Sequence, residues 1–190
     1  MEQKAVIAAD GSWVEKSIRE FHGSPVQRIG DEWMLITSGD TAADAGNWNT
    51  MTASWGGFGV LWHKDVAFMF IRPGRHTRSF ADANSLFTLS FFDKKYHPAL
   101  SFCGENSGRE HDKAAETGLS PIVFGGNIAG GRAAGAVAFK EASDIVICRK
   151  IYTHDIDPKN FLDPSIGSNY PKSDYHRMYV GEVAALLTAK

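Results

Sequence analysis

A chain of 190 residues, 43% hydrophobic and 22% charged, suits one folded domain, expected to span residues 1–190. Its formal net charge of -2 excludes a global basic field for nucleic acid, so any anion site must be local. No apolar run is long enough to cross a bilayer, and the opening MEQKAVIAADGSW lacks the basic start and long apolar centre of a leader, so a cytoplasmic protein with no membrane partner is expected.

Taken in chain order, Val14 to His22 reads as a short helical patch, and the periodic segments that follow read as strands. They are EWMLITSG, WNTMTASWG, GVLWH, DVAFMFIRP, SLFTLSFF, GAVAFKEASDIVICRKIYTHDI and YHRMYVGEVAALLTA, rich in β-branched and aromatic residues and bounded by Gly, Pro, Asp or Asn. Between them lie short helical patches at Arg78 to Ala83, Pro98 to Cys103 and Arg109 to Thr117, the last ending at Gly118 with Pro121 beyond, and a turn at Pro158 to Leu162. Helices so few and scattered do not alternate with strands as a parallel α/β sheet requires. The expected class is mainly β, a closed or nearly closed antiparallel barrel with short helical insertions.

One turn gathers Arg72, Arg75, His76, Thr77 and Arg78 around Pro73 and Gly74. Guanidinium forks match phosphate oxygens, and Thr77 stands where it would cap a helix starting at Arg78, so the cluster reads as a phosphate site or as a solvated turn with surface ion pairs. A second set lies in CGENSGREHDK. Ser107 and Glu110 have capping-box spacing, and Ser107, the Gly108 amide, Arg109 and Lys113 offer a hydroxyl, a backbone donor and two cations near a helix start. In NTMTASWGG, alternation puts Thr50, Thr52 and Ser54 on one face and Asn49, Met51, Ala53 and Trp55 on the other. A flat heteroaromatic ligand could lie along that strand, or Met51, Ala53 and Trp55 are simply core.

Other chemistries find no support. GGNIAGG fits neither G-x-G-x-x-G nor the P-loop pattern and reads as a turn-forming loop; no His/Cys spacing suits a metal; no G-x-S-x-G elbow supplies a nucleophile. Cys103 and Cys148 are too few for a disulfide framework and read as reduced, semi-buried thiols.

Together, NTMTASWG, IRPGRHTRSF, LSFCGENSGREHDK with TGLSP, and YHRMYVGEV resemble the flavin reductase-like, FMN-binding split-barrel family, especially its flavoredoxin-type branch, in order from about Trp33 to Val183. The resemblance implies a six-stranded antiparallel split barrel, a homodimer, and noncovalent FMN. It places Thr50, Met51, Thr52, Ala53, Ser54 and Trp55 along the isoalloxazine and ribityl chain. Arg72, Arg75, His76, Thr77, Ser107, Gly108 and Lys113 would surround the phosphate, with Cys103 just ahead of that loop and read as packing. NAD(P)H is the implied electron donor, and a flavin or redox protein the acceptor. Many nicotinamide-dependent members carry Gly-Asp-His before the last strand's Gly-Glu-Val; here Asp174 and Tyr175 precede His176, which keeps the offset of a nicotinamide-side contact. An NAD(P)H-dependent flavin reductase, an electron carrier without its own nicotinamide oxidation, and a cofactor-free barrel are the three functions to separate. Because the cofactor carries the hard chemistry, no protein nucleophile or general base is needed.

Overall fold

The computed structural model describes residues 6–7, 12–39 and 47–190. The N-terminal expectation about a leader falls mostly outside them. The strands are β1 (Val6–Ile7), β2 (Trp13–Lys16), β3 (Met34–Gly39), β4 (Trp48–Ala53), β5 (Gly56–Leu61), β6 (Lys64–Ile71), β7 (Leu86–Phe91), β8 (Pro121–Val123), β9 (Val137–Phe139), β10 (Asp144–Asp155) and β11 (Arg177–Ala189). Among the described residues four α-helices, α1 (Pro25–Gly30), α2 (Thr77–Ala83), α3 (His97–Glu105) and α4 (Lys113–Thr117), lie between them.

The main sheet runs β4-β3-β7-β10-β11-β6-β5, every pairing antiparallel, with β2 added beside the end of β11. It has eight strands rather than six. A second sheet of three carries β1 parallel to β8 and β9 antiparallel to it. Strand alternation explains the two cores. Leu35, Ile145, Ile147, Ala185 and Leu187 face a cluster shared with α3 and the small sheet, whereas Met34, Ile36, Val146, Cys148 and Leu186 face the other.

The second cluster takes residues from both ends of the strand path, Met51 of β4 and Phe58 of β5, along with Met69, Phe87 and Tyr179 between. The edge strands β4 and β5 are moreover joined by only Ser54 and Trp55. With at most about 3.8 Å per Cα step, such a link cannot cross a flat seven-strand path of about 4.8 Å per strand spacing. The sheet therefore curls until its edges meet at Ser54–Trp55, with the second cluster inside.

Several sequence expectations need correction. Val14 to His22 is not helical: β2 pairs Trp13–Lys16 with the free flank of β11, and only Ile18–Glu20 forms a 3-10 turn, capped reciprocally by Ser17 and Glu20. Phe21 then leaves that turn to pack edge-on against Phe58 and Phe91, each 5.1 Å away. The long segment from Gly135 to Ile156 breaks at a turn into β9 and β10. The helix expected over Arg109 to Thr117 begins only at Lys113, because Asp112 rather than Ser107 is its N-cap, accepting from the Ala115 amide at 3.1 Å. Gly118 closes it in the left-handed conformation (φ 71°). Thr77 lies inside α2 and makes no cap bond.

Gly181 shows how tightly the inner cluster is filled. A Cβ there would stand 2.5 Å from the Phe87 ring and 2.7 Å from the Cys148 Cβ, where β10 and β11 change register. Gly181→Ala is expected to cost about 1–3 kcal/mol through overpacking, while Gly57→Ala, which meets nothing within 4 Å, costs much less. Urea denaturation midpoints compare the two, and equal losses would show that this contact does not govern the packing.

Candidate functional site

The site lies where the curled sheet stays open. β4 is an edge strand: among the described residues it pairs with β3 on one side and with no strand on the other. Two adjoining cavities flank it. One, of about 90 Å³, is lined by Asn49, Met51, Gly74, Arg75, His76, Thr77, Glu105, Asn106, Ser107, Gly108 and Lys113. The other, of about 190 Å³, is lined by Met51, Thr52, Ala53, Ser54, Trp55, Phe70, Arg72, Arg75 and His176. Met51 and Arg75 border both.

Three elements converge on the smaller cavity: the β6–α2 turn, the end of α3 and the start of α4. Lys113 is 6% exposed, and its Nζ donates to the carbonyls of Thr50 (2.8 Å) and Cys103 (2.7 Å). Burial, with Arg75 adding a like charge, lowers its pKa to about 8; the nearby Cys103 thiol pulls it the other way. Arg75 is exposed and donates to the Gly104 carbonyl at 2.5 Å. Asn49 Nδ2 donates to Thr77 Oγ1 at 2.8 Å, which fixes the wall between β4 and α2. His76 is held below the ordinary imidazole range by burial and then by the fields of Arg109 and Lys113, and its Nδ1 is buried without a hydrogen-bond partner. Ser107 Oγ accepts from the Arg109 amide at 3.3 Å. Gly108 passes so close to the Asn49 carboxamide that a Cβ would collide with it, so only glycine lets this loop roof the cavity.

An orphaned imidazole nitrogen, a buried ammonium, a guanidinium and a hydroxyl around one small cavity fit a phosphate monoester. Glu105 is the one carboxylate on its rim. The larger cavity differs in charge. Arg72 donates from NH1 to Asp174 Oδ1 (2.8 Å) and from NH2 to the Asn169 carbonyl (2.8 Å), and its guanidinium lies 5.0 Å above the Tyr170 ring. Its charge is thus matched locally. Trp55, 43% exposed, stands 4.9 Å from the His176 ring. His176 Nδ1 lies 2.9 Å from the Tyr170 hydroxyl, and its pKa falls to about 4 through burial and then Arg72, with Asp174 opposing. The imidazole is therefore neutral near neutral pH.

Of the residues expected around FMN, all but Thr50 and Cys103 line one of these cavities; Arg109 lines neither, and its guanidinium donates to the Gly74 carbonyl at 3.4 Å. Thr50 is buried: its hydroxyl donates to the Ile36 carbonyl (3.0 Å) and pairs with Thr37, and its own carbonyl takes Lys113. Cys103 is fully buried with its thiol pushed up to about 11, and contributes a carbonyl. Arg72 lies beside the larger cavity rather than the smaller one. Arg78, part of the sequence cluster, turns away to Asp82 (3.6 Å) and Asp155 (3.3 Å). Sequence reading missed Asn106, Phe70 and Tyr170; Asn49 carried a signal in its place on the edge strand.

No family model matches the sequence, and neither does any curated protein. Among solved structures, the chain is similar to flavoredoxin from Methanosarcina acetivorans at 17% identity, covering 84% of this chain and 69% of that one, with a TM-score of 0.61. An FMN-binding domain of a flavin reductases-like enzyme from Shewanella baltica OS155 matches at 13% identity, 93% and 77% coverage and a TM-score of 0.61. The Streptomyces globisporus C-1027 NADH:FAD oxidoreductase SgcE6, in complex with NAD and FAD fragments, matches at 14% identity, 83% and 74% coverage and a TM-score of 0.57. The chain shares their fold, which a protein with a split-barrel domain from Shewanella frigidimarina NCIMB 400 also has (16% identity, 82% and 65% coverage, TM-score 0.60). Within this split barrel, the cavities occupy the opening where the two edge strands meet.

His176 gives the split barrel a pH signature. Its folded pKa, about 4, lies below the ordinary 6.5, so between those values the unfolded chain binds more protons and stability rises with pH. The gain is complete above about pH 6.5, and His76 adds in the same direction. His176→Gln should flatten this rise; melting temperatures from pH 4 to 7 measure it, and an unchanged slope would place the titration elsewhere.

Proposed function

We propose that the chain is an FMN-binding oxidoreductase of the flavin reductase-like family, holding FMN noncovalently and taking hydride from NAD(P)H for delivery to a flavin or redox-protein acceptor. The observation that carries this reading is the pair of adjoining cavities, one small and cationic, the other about twice as large and bordered by Trp55 and by Arg72 paired with Asp174, bridged by Met51 and Arg75. The FMN-binding domain and the NADH:FAD oxidoreductase with the same fold support it.

FMN, when bound, supplies a two-electron centre that accepts hydride and releases electrons to an acceptor. Arg75, Lys113, His76, Ser107 and the Gly108 loop would hold the phosphate. The free edge of β4 from Met51 to Trp55 offers backbone donors and acceptors to the polar rim of the ring. Trp55 and Phe70 cover apolar surface and exclude water, while Arg72, matched by Asp174, keeps the cleft from presenting a bare charge. His176, bordering the larger cavity beside Trp55, would contact the nicotinamide side. Cys103, buried and with its thiol pKa raised, stays a packing residue.

Arg75→Ala or Lys113→Ala is expected to weaken FMN binding by about 1.5–3 kcal/mol, the range for hydrogen bonds to charged groups, and to leave riboflavin nearly unaffected. Lys113 also adds a pH dependence. Above about pH 8 the free protein must take up a proton to meet the phosphate as an ammonium, so FMN affinity falls as pH rises while riboflavin affinity does not. Fluorescence titrations of both ligands measure this, and equal losses for the two would separate these cations from the phosphate.

The function itself is tested by the visible spectrum of the FMN-loaded protein under anaerobic NADH or NADPH. Bleaching at catalytic speed is the expected result. A flavin that stays oxidised with both nucleotides but is reduced by a redox protein would make the chain a carrier instead, the reading favoured by Asp174 and Tyr175 standing where nicotinamide-dependent members carry Gly-Asp.

A further inference from the structure

Tyr170 is neither on the edge strand nor in the cation cluster, yet it is one of the most constrained side chains near the opening. It is 6% exposed and stands between the rings of Phe161 (6.0 Å, stacked) and Tyr175 (4.9 Å), with the Arg72 guanidinium over its face. Its backbone is fixed as well, the amide donating to the Gly167 carbonyl (3.0 Å) and the carbonyl accepting from Ser173 (3.0 Å). The hydroxyl has one partner among the described residues, Nδ1 of His176. The other imidazole nitrogen, Nε2, has no partner among them, and His176 borders the larger cavity beside Trp55.

Resting on the functional reading above, we propose that Tyr170 is a positioning residue: its hydroxyl donates to His176 Nδ1 and so fixes the imidazole as the tautomer with its proton on Nε2, turned into the cleft as a neutral hydrogen-bond donor. A phenol bonded to an imidazole can act in either sense, and the surroundings decide. Arg72 over the ring withdraws electron density from the phenol, which strengthens O–H donation and weakens oxygen as an acceptor. Of the charged groups facing His176, Arg72 at the end of β6 and Arg75 in the following turn oppose a second imidazole proton, while Asp174 favours one and is already bonded to Arg72. Burial adds to the cations, so the neutral form persists. An N–H at that point donates to a carbonyl or carboxamide oxygen and rejects an ammonium or a second N–H, a selectivity that a lone pair on Nε2 would invert.

Long-range ¹H–¹⁵N correlation spectra of protein carrying ¹⁵N-histidine, recorded without any flavin or nucleotide, test the assignment. Wild-type His176 is expected to show a protonated Nε2 and an unprotonated Nδ1 from pH 5.5 to 7.5. Tyr170→Phe keeps the ring and its packing but removes the hydroxyl. In that variant the two tautomers should mix, and the His176 pKa should rise by about one pH unit, a tenfold change in proton affinity. The sign is diagnostic: a donor to Nδ1 stabilises the neutral ring, so losing it raises the pKa, whereas losing an acceptor would lower it. An Nδ1–H tautomer in the wild type, or a His176 titration unmoved by Tyr170→Phe, overturns the proposal. Should the variant not fold, the wild-type tautomer decides alone. Because these spectra need no cofactor, a protein that fails to oxidise NAD(P)H yet shows the Nε2–H form refutes the function and leaves the positioning role standing.

Discussion

A buried ammonium ties the edge of this sheet to its helices. Lys113 Nζ spans the carbonyls of Thr50 on β4 and Cys103 on α3, while its own backbone opens α4. Removing a lysine amine from water is costly unless carbonyls or an anion replace the lost hydration. Two carbonyls do so here, and the smaller cavity leaves room for a third partner. The same bonds hold β4 in place although, among the described residues, one side of it pairs with no strand, so the stability of the edge and the charge of the smaller cavity depend on one group.

The two cavities form a gradient of charge compensation. At one end Arg72 is matched by Asp174, and His176 is neutral at ordinary pH. At the other, Arg75 and Lys113 share the lining with one carboxylate, Glu105, among the described residues, and burial, with Arg109 and Lys113 adding to it, holds His76 below its usual range. A ligand with a neutral flat head and an anionic tail meets favourable surroundings in one orientation, and the reversed pose would place its charge beside Asp174. Orientation thus comes from where the countercharges stand more than from the number of cations.

The strands were legible because β3, β7, the first half of β10 and most of β11 are buried, and their β-branched and aromatic residues run between turn residues. The cationic cavity was legible in Arg75, His76, Ser107 and Lys113, whose types and local spacing mark it. What sequence could not show depends on distant partners. Arg72 and Arg78 look equivalent in one short turn, yet Asp174, 102 positions on, claims the first and Asp155, 77 positions on, the second. β2 escaped notice because its extended form depends on an unfilled flank of β11 rather than on its own four residues. Tyr170 carried no motif at all, since its meaning lies in one hydroxyl against an imidazole.

The link of Ser54 and Trp55 between the two edge strands has a topological meaning. β4 and β5 are neighbours in the chain but ends of the strand path, so the opening takes shape only after β7, β10 and β11 have bridged them, and those strands come from far later in the sequence. Such non-local closure carries a loop entropy that local hairpins do not. His176, which sits just before β11, meets Trp55 only through that closure. The cleft therefore depends on β11 holding β10 and β6 together rather than on the two residues that join its edges.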